Sequence, residues 1–329
     1  MKIGIIGCGL IGQKRASHLA NAELVACADT AIEKAITLAN QFPGAKALSD
    51  WRDLIHQENI DMVIVATPHA SLAEITNAVI QKNIHVLVEK PGARIVHEIE
   101  QLIKQHKNSK SLVRVGFNHR YHRAFRQAKK LIHENALGEL MFIRARYGHG
   151  GRVGYDKEWR ASPEISGGGE LIDQGVHLID LARLFLGDFT NVQGSAHTFF
   201  WQMPVDDNGF MMLQTEKKQV AFLHASCTEW KNTFSFEIYG RLGKIDINGL
   251  GGSYGVERLS YYKMSSAMGP PETFIWEYPM QDDSWEFEFN EFLDDIKQNR
   301  QPAAGLLDAH AALKIVDIIY KDSGYDRST

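Results

Sequence analysis

Short apolar runs alternate with amphipathic segments over residues 1–120. Each run is nearly continuous in apolar residues, and the segment after it has apolar residues at helical spacing. Strands this apolar are typical of a parallel sheet covered on both faces by helices. The runs are KIGIIG, ELVACAD, DMVIVAT, HVLVEK and LVRVGFN. We therefore predict a parallel α/β domain over residues 1–120.

The pattern changes from GELMFIRARYG onward. Several later segments are longer and alternate apolar with polar positions, as in MFIRARY, QVAFLHASC and FSFEIYG. Such alternation is typical of antiparallel strands with one covered face. One apolar helix, ELIDQGVHLIDLARLFLG, interrupts these strands, and two further helices close the chain. We predict an α+β domain with a large, mostly antiparallel open sheet over residues 121–329, whose last helices can pack back on the first domain. Because no flexible linker separates the domains, we expect a shared, fixed cleft.

Composition and charge exclude several classes of protein. The 329 residues are 44% hydrophobic, and 36 Lys and Arg against 40 Asp and Glu give a net charge of −4. Without a basic stripe, nucleic acid is not an expected partner. No signal peptide is evident, and no segment has the roughly 18 consecutive apolar residues of a membrane span. Cys8, Cys27 and Cys227 form no CxxC pair, so we expect neither disulfides nor a metal site, and a cytoplasmic location.

A glycine motif follows the first apolar run and precedes a helix. Such a GxGxxG turn allows the pyrophosphate of a dinucleotide to approach the backbone at the start of the helix. An acidic residue at the end of the second run, 22 positions after the first glycine, is placed to accept hydrogen bonds from a ribose. No Arg follows it to pair a 2′-phosphate, so NAD is favoured over NADP; the alternative is a glycine turn that only packs helix on sheet. The residues assigned here to the cofactor are Gly7, Gly9, Leu10, Ile11, Gly12 and Asp29.

Two later strand ends should reach the same edge of the parallel sheet. DMVIVAT ends in Thr67, Pro68 and His69, and HVLVEK ends in Glu89 and Lys90. Open α/β sheets bind their ligands at the carboxyl ends of the strands, and we assign all five residues to the cofactor site. Lys90 is also a candidate to donate a hydrogen bond to a reacting oxygen. The alternative is that Glu89 and Lys90 form an ordinary solvated turn.

The apolar helix carries Asp173 and His177, four positions apart on one helical face. Polar groups in so apolar a helix must be paired or must face a cavity. Histidine accepts a proton near neutral pH, and a nearby carboxylate can orient it. A purely structural Asp–His contact is the alternative. The preceding glycines Gly167, Gly168 and Gly169 would permit close approach of the backbone to a ligand.

The GxGxxG turn, the Glu89-Lys90-Pro91 tripeptide and the Asp173-x-Gly175-x-His177 element occur in the order and spacing of one family. Over essentially its whole length the chain resembles the Gfo/Idh/MocA family of NAD(P)-dependent oxidoreductases. The resemblance implies a Rossmann domain followed by an α+β domain. It also implies catalytic roles for Lys90, Asp173 and His177 beside the nicotinamide. One departure is that many members have a histidine where this chain has Ser71 and Leu72.

The implied reaction is hydride transfer from a secondary alcohol to nicotinamide, with the alcohol proton passing to His177. The resemblance favours sugars, above all nucleotide-linked sugars, with inositols and free sugars as alternatives. Aromatic and arginine side chains suited to such substrates include Arg120, Tyr147, Tyr155, Trp159 and Arg160. Each could instead be an ordinary surface or packing residue.

Two other classes of function use the same residues. A redox-assisted glycosidase or lyase would turn over without net NADH. A non-catalytic NAD-binding regulator should have lost the set Lys90, Asp173 and His177, so we rank it last. Family members commonly pair through the open sheet, and we therefore expect a homodimer or homotetramer.

Overall fold

The computed structural model describes residues 1–57, 59–267 and 269–325. This part of the chain divides into two compact units. The first comprises the described residues within 1–117 and 285–310, and the second comprises those within 118–284 and 311–325. Each unit is built on its own sheet, and the two are described separately.

The first unit holds a six-stranded parallel sheet in the order β3-β2-β1-β4-β5-β6. The order reverses between β1 and β4, the topological switch point at which such sheets bind ligands. The strands are β1 (Lys2–Ile6), β2 (Glu23–Ala28), β3 (Lys46–Leu48), β4 (Met62–Val65), β5 (His85–Glu89) and β6 (Val113–Gly116). The helices between them are α1 (Leu10–Ala16), α2 (Ile32–Ala39), α3 (Trp51–Ile55), α4 (His69–Gln81) and α5 (Val96–His106).

The second unit holds an eight-stranded sheet in the order β14-β13-β12-β11-β7-β10-β9-β8. Among the described strand pairs of this sheet, β7 and β10 are parallel, and the other pairs are antiparallel. The strands are β7 (Leu140–Gly148), β8 (Phe189–His197), β9 (Asn208–Thr215), β10 (Val220–Ser226), β11 (Thr233–Gly240), β12 (Gly243–Asn248), β13 (Glu257–Lys263) and β14 (Glu272–Tyr278). The helices of this part include α6 (Arg123–His133), the short α7 (Pro163–Ser166) and α8 (Val176–Leu186). Both sheets confirm the predicted fold class.

One face of the second sheet is covered and the other is half exposed. Along β11 the apolar side chains Phe234, Phe236 and Ile238 are buried, and the polar ones between them are less so. The covered face packs against α8, which contacts β7 and β10. On the other face, β10 and β9 pair Phe222 with Met212, and both are exposed. The alternation in the sequence therefore has its expected structural cause.

The predicted apolar helix begins as a π-helix. Residues Leu171–Gly175 form a π-helical turn that continues directly into α8. Such turns are frequent at functional sites because they displace side chains from the regular α-helical spacing. The turn holds Asp173, and α8 holds His177.

Two helices close the chain, α9 (Ser284–Gln298) and α10 (Leu306–Asp322). Phe289 and Phe292 of α9 belong to the core of the first unit, together with Ile3, Met62 and Leu87. Buried ion pairs also hold α9: Arg114 of β6 pairs with Asp295 at 2.6 Å. Among the described residues, none of the helices is both long enough and apolar enough to cross a membrane.

Candidate functional site

The glycine turn of the first unit has the shape that a dinucleotide needs. A Cβ on Gly12 would lie 1.9 Å from the carbonyl oxygen of Gly7, and a Cβ on Gly7 would lie 2.4 Å from that of Ala66. A Cβ on Gly9 would meet nothing within 4 Å, so the backbone there faces open space. The next residue, Leu10, is 82% exposed although it begins α1. Two glycines are therefore required by packing, and the third leaves room for a ligand.

Asp29 is held beside this turn by backbone hydrogen bonds. One carboxylate oxygen accepts from the amide of Cys8 at 2.8 Å, and the other accepts from the amide of Ala31 at 2.9 Å. Each carboxylate oxygen has a second lone pair, so the group can still accept from ribose hydroxyls. The fixed orientation fits the role predicted for Asp29.

The end of β4 borders the same turn, since Thr67 directly follows Ala66. The hydroxyl oxygen of Thr67 is buried and has no hydrogen-bond partner within residues 1–57, 59–267 and 269–325. Pro68 then caps α4, and His69 is buried at its first position. An unsatisfied hydroxyl next to an open glycine turn fits a polar ligand at this edge.

Glu89 and Lys90 leave β5 in different environments. Glu89 is buried, and its carboxylate accepts from Nε of Arg15 at 2.7 Å. Arg15 also donates to the buried Glu288 at 2.5 Å and lies 4.3 Å from the ring centre of Trp285. The carboxylate of Glu89 thus forms a buried ion pair with Arg15, which argues against the cofactor contact predicted for it. Lys90 is half-buried at the carboxyl end of β5, where the sequence placed it.

In the second unit, Asp173 pairs with an arginine rather than standing alone. Nε of Arg160 lies 2.9 Å from Oδ2 of Asp173, and the guanidinium also covers the ring of Trp159 at 4.5 Å. The carboxylate is the largest cause of the raised pKa of Arg160, so the arginine stays charged. Three residues predicted separately, Trp159, Arg160 and Asp173, therefore form one group.

His177 is buried in a stack of rings. Its imidazole stacks on that of His119 with ring centres 3.7 Å apart, and Tyr147 approaches both imidazoles edge-on or tilted, at 6.3 Å and 5.3 Å. Burial and the nearby phenol of Tyr254 hold the pKa of Tyr147 well above its usual range, so its hydroxyl stays protonated. Sequence reasoning missed His119. Its only signal was the run FNHRYH directly after the last strand of the first domain.

A second carboxylate, Glu170, lies next to this group and was also missed. It is buried, accepts from the hydroxyl of Tyr155 at 2.5 Å, and lies 3.5 Å from Nε2 of His149. Burial is the main reason that the pKa of Tyr155 is raised, and Glu170 adds to it. Tyr155 is therefore a hydrogen-bond donor at neutral pH, and its hydroxyl donates to Glu170.

Arg120 does not have the environment expected of a substrate contact. It is buried and forms a two-pronged ion pair with Asp180 of α8, with Nε 2.7 Å from Oδ2. A guanidinium satisfied in this way anchors α8. The pairing argues against the predicted direct contact, because breaking it would leave a buried charge.

The glycines before the π-helical turn are required by neighbouring protein groups. A Cβ on Gly169 would lie 1.8 Å from the carbonyl oxygen of Asp206, and one on Gly168 would lie 2.2 Å from the hydroxyl of Tyr320. The buried carboxylate of Asp206 accepts from the amides of Gly169 and Leu171, both at 2.8 Å. The close approach expected of a ligand is thus made by Asp206 and Tyr320.

The sequence of the chain is similar to the sequences of several proteins that are named as dehydrogenases or reductases. The chain is 30% identical over 230 residues to a levoglucosan dehydrogenase of Pseudarthrobacter phenanthrenivorans, covering 65% of this chain and 58% of that protein. It is 27% identical over 194 residues to an inositol 2-dehydrogenase of Salmonella typhimurium, covering 57% and 55%. It is also 27% identical over 253 residues to a dTDP-3,4-didehydro-2,6-dideoxy-alpha-D-glucose 3-reductase of Saccharopolyspora spinosa, covering 75% and 74%. The chain thus matches little more than half the length of the first two relatives.

Structural similarity and family sequence models agree with these matches. The fold resembles that of a levoglucosan dehydrogenase in complex with NADH and levoglucosan, with a TM-score of 0.89, 24% identity, and coverage of 98% of this chain and 97% of that one. Residues 1–117 match an oxidoreductase family with an NAD-binding Rossmann fold, and residues 125–246 match the GFO/IDH/MocA C-terminal domain. The chain therefore belongs to the Gfo/Idh/MocA family of oxidoreductases, and its first domain is the NAD-binding domain of that family.

Proposed function

We propose that this protein is an NAD-dependent dehydrogenase that oxidises a secondary hydroxyl of a sugar. The observation that carries the proposal is the buried imidazole of His177, four positions after a carboxylate held by Arg160, in a chain that also has an NAD-binding domain. A buried histidine of this kind is suited to take up the proton of an alcohol.

The reaction removes a hydride from carbon and a proton from oxygen. When bound, NAD accepts the hydride from the carbon that carries the hydroxyl. His177 takes the hydroxyl proton, and its stacking on His119 fixes the plane of the ring. The ammonium group of Lys90 donates a hydrogen bond to the same oxygen and stabilises the negative charge that develops there.

Asp173 acts by position in this scheme. Its carboxylate is fixed by Arg160 and lies within the π-helical turn directly before α8. The ion pair keeps both side chains in one geometry, so that Arg160 and Trp159 present a charged and an aromatic surface to a sugar. Tyr147 and Tyr155 are buried, and Arg120 anchors α8 through Asp180.

The names of the relatives support the choice of substrate class. Two of them are named for levoglucosan and inositol, which carry several secondary hydroxyls and no phosphate. We therefore place an uncharged sugar or polyol first. A nucleotide-linked sugar is the second candidate, because one relative is named as a reductase of a dTDP-linked sugar.

We further propose that the protein assembles as a homodimer or homotetramer in the cytoplasm. The half-exposed face of the second sheet carries Phe222, Met212 and Phe142, which are large apolar groups in contact with solvent. Exposed apolar surface of this kind marks interaction sites, and a self-complementary sheet face gives a closed dimer.

The residue roles are tested by Lys90→Ala and His177→Ala. Each variant should bind NAD with wild-type affinity in a calorimetric titration and lose at least about a hundredfold in kcat on a sugar that the wild type oxidises. Near wild-type kcat in either variant, with NAD binding intact, would contradict the assigned role. The exposed Lys217→Ala serves as the matched control for loss of a lysine.

A further inference from the structure

An exposed group of aromatic side chains lies in the second unit, outside the residues used so far. We call it the aromatic platform and define it as Phe199, Phe200 and Trp230. These residues are 67%, 52% and 69% exposed. The ring of Phe200 meets that of Trp230 edge-on, with centres 4.6 Å apart at 86°. Aromatic rings left in water at this level usually contact a ligand or a partner.

The platform is held by a buried charge. Asp207 is fully buried, and its carboxylate accepts from three successive backbone amides, those of Phe199, Phe200 and Trp201, at 2.9, 2.7 and 3.0 Å. Burying a carboxylate costs free energy that its hydrogen bonds must offset. The fold thus uses a buried ion to fix a loop whose outward side chains are aromatic.

Trp230 is held in an unusual backbone conformation. Its φ is +56°, in the left-handed region that few residues with a side chain adopt. Its backbone also lies 3.1 Å from where a Cβ of Gly150 would be, so a side chain at position 150 would be in tight contact with Trp230. Strain of this kind persists where the position of a side chain matters.

A chain of contacts joins the platform to the residues proposed for the sugar. Trp201 follows Phe200, donates from Nε1 to the carbonyl oxygen of Cys227 at 3.0 Å, and lies with its ring centre 5.6 Å from that of Tyr155. Tyr155 in turn donates to Glu170 at 2.5 Å, three positions before Asp173. The adjacent aspartates strengthen the link, because Asp207 fixes the platform and Asp206 fixes the turn that leads to Asp173.

We propose that the aromatic platform is a second subsite, which binds the apolar face of a further sugar ring joined by a glycosidic bond to the sugar being oxidised. Pyranose rings have one face of C–H groups that packs on aromatic side chains. The three side chains that define the platform are all aromatic, the exposed Lys231 directly follows Trp230, and the guanidinium of Arg152 is paired with Glu158 at 2.7 Å. We choose an uncharged glycoside as the occupant because packing of a sugar ring on these rings needs no charge on the ligand, and a nucleotide-linked sugar is an outcome of the test. This inference rests on the proposed sugar-oxidising function and names its substrate class.

Two variants remove the platform at little cost to folding. Trp230→Gly deletes the ring at a position where positive φ favours glycine. Phe200→Ala deletes a half-exposed ring and keeps the hydrogen bond that the backbone N–H of residue 200 donates to Asp207. Phe287→Ala is the matched control, since Phe287 is 45% exposed and belongs to the first unit. The probes are glucose, cellobiose, maltose and dTDP-glucose.

Binding and turnover are measured separately so that the two proposals can fail independently. In saturation-transfer NMR of the NADH-loaded protein, we expect signals from both rings of a disaccharide, with those of the second ring lost in Trp230→Gly. In turnover, the ratio of kcat/KM for a disaccharide to that for glucose should fall about tenfold in both platform variants and stay constant in Phe287→Ala.

The other outcomes are informative. Platform-dependent binding of a disaccharide, without NADH formation from these probes or from any compound of a wider panel of free sugars, glycosides, inositols and nucleotide sugars, would uphold the subsite and contradict the dehydrogenase. Turnover with an unchanged ratio would overturn the subsite and leave the dehydrogenase standing. Loss that is confined to dTDP-glucose, or a fall in molecular mass by light scattering of the platform variants, would also overturn it. The latter two results would assign the platform to a nucleotide or to a second copy of the chain.

Discussion

The guanidinium of Arg160 and the carboxylate of Asp173 lie 2.9 Å apart, and the carboxylate is 7% exposed against 31% for the arginine. This pair joins the loop after β7 to the π-helical turn before α8. The contact fixes a carboxylate that the sequence predicted to lie on one helical face with His177 and to which the family resemblance gave a catalytic role. We regard the pair as the element that sets the shape of the proposed sugar site.

Separating the pair should therefore reduce turnover more than it reduces stability. Arg160→Met leaves Asp173 without its cation, and we expect kcat/KM for an oxidised sugar to fall at least about tenfold, with part of the loss recovered in Arg160→Lys. A double-mutant cycle with Asp173→Asn should give a coupling of about 1–3 kcal/mol. Additive effects would show that the two residues act independently. Arg241→Met is the control, because its pair with Glu139 is exposed on both sides.

Arg15 should be important for the stability of the first unit. It is buried between Glu89 and Glu288, and its removal would leave two buried carboxylates without their cation. We expect Arg15→Met to lower the free energy of unfolding by about 3–5 kcal/mol. The comparison is Arg52→Met, whose partners Asp50 and Glu74 are exposed and whose loss should cost less than about 1 kcal/mol. Urea unfolding of the three proteins measures both values, and equal effects would refute the difference.

The stability of the second unit should depend on pH through Asp206. Burial raises the pKa of Asp206 from 3.8 to about 6, although Tyr320 and two backbone amides donate to it. A raised folded-state pKa means that the folded protein binds this proton more tightly than the unfolded chain does. The stabilisation is complete below pH 3.8 and is lost as the pH rises to about 6.

Asp206→Asn should remove this dependence, because the amide does not titrate. Relative to that variant, the wild-type free energy of unfolding should fall by up to about 3 kcal/mol between pH 4 and 6. Urea unfolding of both proteins at several pH values provides the test. A difference between them that stays constant with pH would contradict the titration of Asp206 in this range.

The exposed sheet face should control assembly. Phe222→Glu puts a charge opposite Met212 on that face, and we expect it to convert the proposed dimer or tetramer to smaller species at micromolar concentration. Leu307→Glu, at a 68% exposed position of α10, should leave the mass unchanged. Size-exclusion chromatography with light scattering measures the molecular mass of both variants and of the wild type. A wild-type protein that is already monomeric would contradict the proposed assembly.

The sequence was a good guide where one local pattern decides the structure. The strands of the first sheet are short apolar runs, and the glycine spacing of GIIGCGLIG has a direct steric meaning, since Gly7 and Gly12 meet backbone atoms. The alternation along β11 likewise follows from one covered face.

Long-range pairing was not predictable from those patterns. Arg15 meets Glu288 across 273 positions, and Tyr320 meets Asp206 across 114. The π-helical turn was not predicted either, because its apolar residues also fit a regular α-helix. The carboxylate of Asp206, which accepts a hydrogen bond from the amide of Leu171 in this turn, lies 35 positions away in the sequence. Arg120 was assigned to a substrate for the same reason, since its partner Asp180 lies 60 positions away.

The central claim is that the protein transfers hydride from a sugar hydroxyl to NAD, and net formation of NADH tests it most directly. The purified full chain would be incubated with NAD and a panel of free sugars, glycosides, inositols and nucleotide sugars, with absorbance of NADH followed and products identified by mass spectrometry. We predict that at least one compound yields NADH in equal amount to a product lighter by two hydrogens. A compound cleaved without accumulation of NADH would contradict the account and favour a redox-assisted glycosidase or lyase.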